Sequence, residues 1–294
     1  MLMSYICTLC PRQCGARRNE QENGGYCGMP ATPIAARAAL HFGEEPCISG
    51  TRGSGTIFFS GCTLCCVFCQ NQSISHQKHG KNITIERLAD IFRELEQSGA
   101  HNINLVNPTH YAVSICKALE LYRPNIPIVY NSSGYERIET LNMLDGLVDV
   151  YLPDCKYVDP SLSAKLSGAS DYFAFASVAI REMVRQTGAV QLDNNGIAQK
   201  GTIVRHLVLP GHTANSLEVL DFLATVPDIW VSLMFQYTPC GDLSAFKELQ
   251  RPLTRRECDK VWQYMNDLNL INGYVQDRKS SGTKMIPEFD LTGL

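Results

Sequence analysis

The chain has 294 residues, a net charge of −3 at neutral pH and 45 % hydrophobic side chains, with 13 cysteines. That length allows one large core with a small module beside it, and the charge balance leaves no basic footprint for a nucleic acid. No apolar run reaches membrane-spanning length, and the start MLMSYICTLCPRQC lacks the apolar stretch of an export signal, so cytoplasmic cysteines serving metals are expected, not disulfides.

In chain order, Cys7, Cys10, Cys14 and Cys27 come first, spaced C-x2-C-x3-C-x12-C. Gly24 and Gly25 permit a turn that returns Cys27 to the first three. Four thiolates complete either a zinc site or a second iron–sulfur cluster; the spacing does not separate the two, and free thiols in a loop are the remaining alternative. Arg12, Arg17 and Arg18 read as a solvated face. Cys47, in the linker GEEPCISG, has no cysteine partners of its own.

The stretch Ser60–Asn71 carries Cys62, Cys66 and Cys69 as C-x3-C-x2-C. A cubane iron–sulfur cluster usually takes four cysteines, so three in one short loop leave an iron open to chelate a small molecule. A zinc site closed by His76 or His79, or buried inert thiols, are the competing readings. Cys65 is adjacent to Cys66, but a register starting there finds no further cysteine at the right distance.

Apolar strands then alternate with helical stretches, the pattern of a parallel sheet built from βα units. Strands are expected at Thr56–Gly61, Ile103–Asn107, Ile126–Asn131, Val148–Leu152, Ile203–Leu209 and Trp230–Phe235, with Tyr274–Gln276 as a terminal addition. Helices are expected at Thr84–Ser98, Ala112–Tyr122, Pro160–Leu166, Tyr172–Gln186, Ser216–Leu223 and Arg255–Leu268, and a surface turn at Asp193–Gly196. Polar and small residues follow each strand, on the face where barrel-type α/β proteins build active sites. His206, inside an apolar strand, reads as a core histidine. The expected division is a cysteine-rich module with its linker (1–50), a core (51–240) and a C-terminal helical extension (241–294).

With Phe68 just before the last cysteine, the Cys62/Cys66/Cys69 loop resembles the signature loop of the radical S-adenosylmethionine (SAM) superfamily. The likeness covers most of Thr56–Pro239 and is closest to pyruvate formate-lyase activating enzymes and their relatives with an N-terminal cysteine module. It implies a partial (β/α)6 TIM-like barrel and a 4Fe–4S cluster on Cys62, Cys66 and Cys69. The open iron would bind the amino and carboxylate groups of SAM, whose reductive cleavage gives a 5′-deoxyadenosyl radical. Phe68 then lies near the adenine. Asn107 and Thr109 stand where activating enzymes carry Gly-Gly-Glu for the SAM amine, a departure from that pattern; a Pro-stiffened turn without a ligand is the alternative. Asn131 and Ser132 fall in a polar stretch close to SAM. Asp154 and Lys156 match an Asp-x-Lys pattern, implying a monovalent cation at Asp154 and Asn131 and a carboxylate partner for Lys156; a surface salt bridge is the plainer reading. Arg205 would take the SAM carboxylate, and Gln236 replaces a His near the ribose.

The expected reaction is hydrogen abstraction from a protein glycine, the activation of a glycyl-radical enzyme, with flavodoxin or ferredoxin as electron donor. Radical modification of another peptide or a small metabolite is the alternative, and a non-enzymatic iron–sulfur carrier or sensor is the reading from another class. No acid–base pair is assigned as catalytic, and neither a nucleic acid nor a membrane partner is expected.

Overall fold

The computed structural model describes residues 4–19, 24–276 and 287–294. Its elements are β1 (Ile34–His41), the one-turn helix α1 (Pro46–Ser49), β2 (Ser54–Phe59), α2 (Ile85–Gln97), β3 (Ile103–Val106), α3 (Ala112–Leu121), β4 (Ile128–Ser132), α4 (Ile138–Leu144), β5 (Val150–Pro153), α5 (Pro160–Ser167), α6 (Tyr172–Thr187), β6 (Ala198–Leu207), α7 (Thr213–Ala224), β7 (Ile229–Met234), α8 (Arg255–Asp267) and β8 (Gly273–Gln276). Every neighbouring pair from β2 through β8 is parallel, and the strands lie side by side in chain order. Each βα unit therefore adds its strand next to the one before it, as expected of a short crossover on one face. The sheet curls but stays open, in keeping with a partial barrel.

Local chemistry accounts for the helices. Thr84 caps α2 by accepting from the Arg87 amide at 3.1 Å, and the helix buries Leu88, Ile91, Phe92 and Leu95 against the sheet. Thr254 and Glu257 cap α8 reciprocally, side chain to backbone in both directions. Gly168 stops α5 in the left-handed conformation that glycine adopts without strain. His206 is a core histidine, bonded through Nδ1 to the Cys155 carbonyl and through Nε2 to Ser216.

Three segments depart from the sequence reading. β1 is a strand of the core sheet, antiparallel to β2, so the cysteine-rich module is shorter than 1–50. Its alanine-rich sequence has weak β propensity; backbone pairing holds it in place. α1 fills the inside of the curl, where Cys47 and Ile48 pack on Val129, Val150, Leu152 and Ile203 from β4, β5 and β6. Cys47 is thus a core residue, 1 % exposed. In the expected helical extension 241–294, the described residues hold α8, then β8, and a tail at 287–294. Residues 287–294 lie along β1: the Ala38 amide donates to the Thr292 carbonyl at 2.8 Å, the Leu291 amide to the Ala36 carbonyl at 3.0 Å, and Phe289 meets Phe58 edge-on. Among the described residues, no helix is long and apolar enough to cross a membrane.

Candidate active site

At the C-terminal ends of the parallel strands a cavity of about 150 Å³ opens. One wall is the loop after β2, carrying Cys62, Leu64, Cys66, Cys69, Asn71 and Ser75. The opposite wall is made by strand ends: Asn107 after β3, Asn131 and Ser132 in β4, Asp154 and Lys156 after β5, and Arg205 in β6. The three cysteines expected to act together therefore share one cavity with residues from four successive βα units.

Neighbouring groups face each of the three sulfurs. The Leu64 amide approaches Cys62 at 3.4 Å, Ser167 at the end of α5 donates to Cys66 at 2.9 Å, and Ser75 donates to Cys69 at 3.3 Å. Cys65 is a different kind of residue. Its backbone is left-handed (φ +55°), its thiol points at the Ser75 and Cys62 carbonyls, and it is absent from the cavity wall. Its thiol also faces Cys62, lowering the Cys62 pKa while its own rises. The register through Cys62, Cys66 and Cys69 is the one the cavity uses. His76 bonds to Ser75 and His79 to the Phe289 carbonyl, and neither lines the cavity.

Among the described residues, no group of three or more His, Cys, Asp or Glu side chains is gathered tightly enough to hold a single metal ion. Zinc with sulfur at about 2.3 Å requires that closeness. Three thiols lining one end of a cavity fit the corners of a 4Fe–4S cluster whose last iron faces the space beyond. The Asn, Ser, Asp and Lys groups across that space suit the polar end of a small ligand.

The charges are arranged in a chain. Lys156 reaches Asp154 at 2.5 Å, and Asp154 accepts from Arg205 Nε at 3.0 Å. Burial alone raises a carboxyl, yet Arg205 and Lys156 hold Asp154 below its usual range. Burial also works against the Lys156 charge, and Asp154 and Cys66 outweigh it, so its pKa is raised. This is an enclosed pair on the cavity wall, about a fifth exposed at each partner, not the surface salt bridge that was the plainer reading.

Arg205 also lines the cavity. Each of its three nitrogens faces a protein acceptor: Asp154, the Asn131 amide oxygen at 2.6 Å and Glu44 at 3.2 Å. It clamps those side chains at the strand ends. Thr109 and Phe68 are buried behind the wall, the first bonded to Glu136 at 2.6 Å and the second against Tyr237. Neither they nor Gln236 line the cavity. Asn107 adopts φ +58°, a conformation Asn tolerates better than most residues, and its amide nitrogen donates to the Gly61 carbonyl.

The sequence reading missed two buried acids. Glu44, just before α1, accepts from the Asn104 and Asn131 amides, each at 3.2 Å, and from Arg205. Its signal was two adjacent acids before a proline in an otherwise apolar segment. Glu136 follows β4, is 1 % exposed, and burial pushes its pKa up to about 8. Nothing local marked it, because its partner Thr109 comes from the preceding strand's loop. Of the N-terminal arginines expected as a solvated face, Arg17 is exposed, but Arg12 donates to the Thr63 carbonyl at 2.9 Å and to the Ser167 carbonyl at 3.0 Å, and Arg18 is buried.

An open parallel sheet with strands in chain order, a three-cysteine loop after its first parallel strand and a polar cavity at the strand ends define the class: an α/β protein of partial-barrel type with a candidate iron–sulfur site at the strand ends. Residues 49–170 match the 4Fe-4S single cluster domain family. The chain is also 30 % identical over 275 residues to the uncharacterized protein MJ0674 of Methanocaldococcus jannaschii, spanning 90 % of this chain and 75 % of that one, and shares its family. Streptococcus suis SuiB bound to its precursor peptide SuiA superposes with a TM-score of 0.52 at 14 % identity, over 74 % of this chain and 46 % of SuiB. This chain thus spans about half of SuiB, and the likeness is one of fold. A domain of pyruvate-formate lyase-activating enzyme from Bacteroides vulgatus aligns at 15 % identity over 66 % of this chain and 91 % of the domain, with a TM-score of 0.39. That overlap is too loose to favour one subtype over another.

Proposed function

We propose that the protein reductively cleaves SAM and uses the resulting radical to take a hydrogen atom from a glycine, or another residue, of a protein or peptide presented at the strand ends. The observation that carries this reading is the shared cavity, with Cys62, Cys66 and Cys69 on one wall and the Asp154–Lys156 pair on the other. When bound there, a 4Fe–4S cluster and SAM supply a one-electron cleavage that leaves a 5′-deoxyadenosyl radical. The chain's own groups hold and shield. Ser167, Ser75 and the Leu64 amide donate to the thiolates, Lys156 places a cation beside Cys66, and Arg205 fixes Asp154 and Asn131. Asn107, Asn131 and Ser132 offer polar groups toward a ligand amine, and Asp154 with Asn131 offers oxygen ligands for a monovalent cation. Hydrogen-atom transfer itself needs no general base. A peptide-binding neighbour of the same fold supports a peptide or protein substrate; glycyl-radical activation is the specific form we favour, with a low-potential carrier such as flavodoxin or ferredoxin as electron source.

The test is anaerobic reconstitution with iron and sulfide, then reduction with dithionite in the presence of SAM. The wild type should give 5′-deoxyadenosine and methionine, and Cys66→Ala should give neither. A reconstituted wild type that neither holds a cluster nor binds SAM would sink the proposal. A glycine-centred radical on an added partner, seen by electron paramagnetic resonance, would establish the specific form.

A further inference from the structure

Arg12 stands between two parts of the fold that are far apart in sequence. Its Nε donates to the Thr63 carbonyl in the cysteine loop after β2 at 2.9 Å, one terminal nitrogen to the Ser167 carbonyl at 3.0 Å and the other to the Gly168 carbonyl. Ser167 and Gly168 close α5. The last carbonyls of a helix have no partner within it and lie at the negative end of its dipole. A planar guanidinium fork suits that array better than a flexible ammonium does. The Tyr26 ring lies 4.0 Å from the guanidinium carbon and the Tyr135 ring 5.4 Å from it, which fixes the group further.

The same end of α5 also holds the cysteine loop directly. The Leu166 carbonyl accepts from the Val67 amide at 3.0 Å, and the Ser167 hydroxyl donates to the Cys66 sulfur at 2.9 Å. Ser167 also meets the hydroxyl of the fully buried Tyr157 at 2.8 Å. A serine hydroxyl has a single proton to give, and a thiolate can only accept. With Cys66 ionised, the Ser167 proton therefore goes to the sulfur and the Tyr157 proton to Ser167. Arg12 is in turn held from the core. Arg137 donates to the Thr8 carbonyl, and Thr140 in α4 to the Leu9 carbonyl, each at 2.7 Å.

We propose that Arg12 is a positioning residue of the iron–sulfur site, holding the end of α5 so that the Ser167 hydroxyl stays on Cys66 and raises the reduction potential of the bound cluster. The inference rests on the reading that Cys66 is a cluster ligand. Adding an electron puts more negative charge on the sulfurs, and hydrogen bonds to them help to set a cluster's potential. A donor on Cys66 therefore favours the reduced state, the one that must form before SAM is cleaved. The three bonds of Arg12 go to carbonyls, so beyond its charge it acts through Ser167.

The experiment uses the full chain, reconstituted anaerobically with iron and sulfide, and reads the cluster's potential by redox titration without SAM. Ser167→Ala should shift the one-electron equilibrium toward the oxidised state about tenfold, or about 60 mV. Arg12→Lys keeps the charge but loses the fork, and should shift it in the same direction by a part of that amount. In the Ser167→Ala background, Arg12→Lys should add nothing. A second readout needs no metal. Hydrogen exchange at the Val67 amide of the metal-free chain should quicken about fivefold in Arg12→Lys, the worth of one hydrogen bond, and stay unchanged in Ser167→Ala. A wild-type potential in Arg12→Lys, full additivity of the two changes, or unchanged Val67 exchange in Arg12→Lys would each overturn this proposal while leaving Cys66 a ligand. A wild type that assembles no cluster would overturn it together with the reading of the site.

Discussion

Glu136 accepts a hydrogen bond from Thr109 at 2.6 Å behind the cluster loop, and burial pushes its carboxyl up to about 8. An unfolded glutamate titrates near 4.3, so between those values folding takes up a proton. The folded state is therefore favoured most below the unfolded value and loses that advantage as pH rises toward about 8. Thermal unfolding should show the wild type losing stability across that window, by several kcal/mol at most, while Glu136→Gln gives a flatter profile. Parallel profiles would mean that Glu136 is charged in the fold. Lys156 gives a second prediction at this scale. Its ammonium lies near Cys66, and removing a positive charge makes adding an electron harder. Lys156→Met should lower the reduction potential of the reconstituted cluster by about 60 mV, a tenfold change in a one-electron equilibrium; an unchanged potential in a redox titration would show that Lys156 does not act on the cluster.

Among the elements, α1 does a task its length does not suggest. A single turn packs Cys47 and Ile48 on β4, β5 and β6, and Glu44 just before it accepts from Arg205. Ile48→Ala should cost about 2–5 kcal/mol, read as a fall in the denaturation midpoint, with no change expected in the cysteine loop's metal content. The parallel strands were legible because they are buried on both sides and read as apolar runs bounded by polar strand ends. The three cysteines were legible because their spacing lies within one loop. α1 and β1 were not, since four residues have no period and the alanines of β1 favour helix over strand. Arg205 was placed at the site correctly, but its partners Glu44 and Asn131 are remote in sequence, so its commitment to them could not be read. Glu136 was invisible for the same reason.

For the molecule as a whole, β1 is paired on its outer side by Lys81–Asn82 only at Ile34 and Ala35, and beyond them it relies on the tail from 287 to 294. The tail contributes the backbone bonds to Ala36 and Ala38, the Arg37–Asp290 pair at 2.7 Å and Phe289 on Phe58. Phe289→Ala should destabilise the protein by on the order of 1–2 kcal/mol and speed hydrogen exchange at the Ala38 amide more than at amides in β4. Uniform exchange in both strands would show that the tail does not hold the edge.

The order of the strands has a consequence for how the protein is made. Because spatial order follows chain order, a ribosome delivers each strand when its neighbour is already in place, and the sheet grows outward from β2 without waiting for distant sequence. The tail is the exception. It returns to the earliest strand of that sheet only after every unit between has emerged. Until it does, the outer side of β1 has only the short pairing of Ile34 and Ala35 with Asn82 and Lys81.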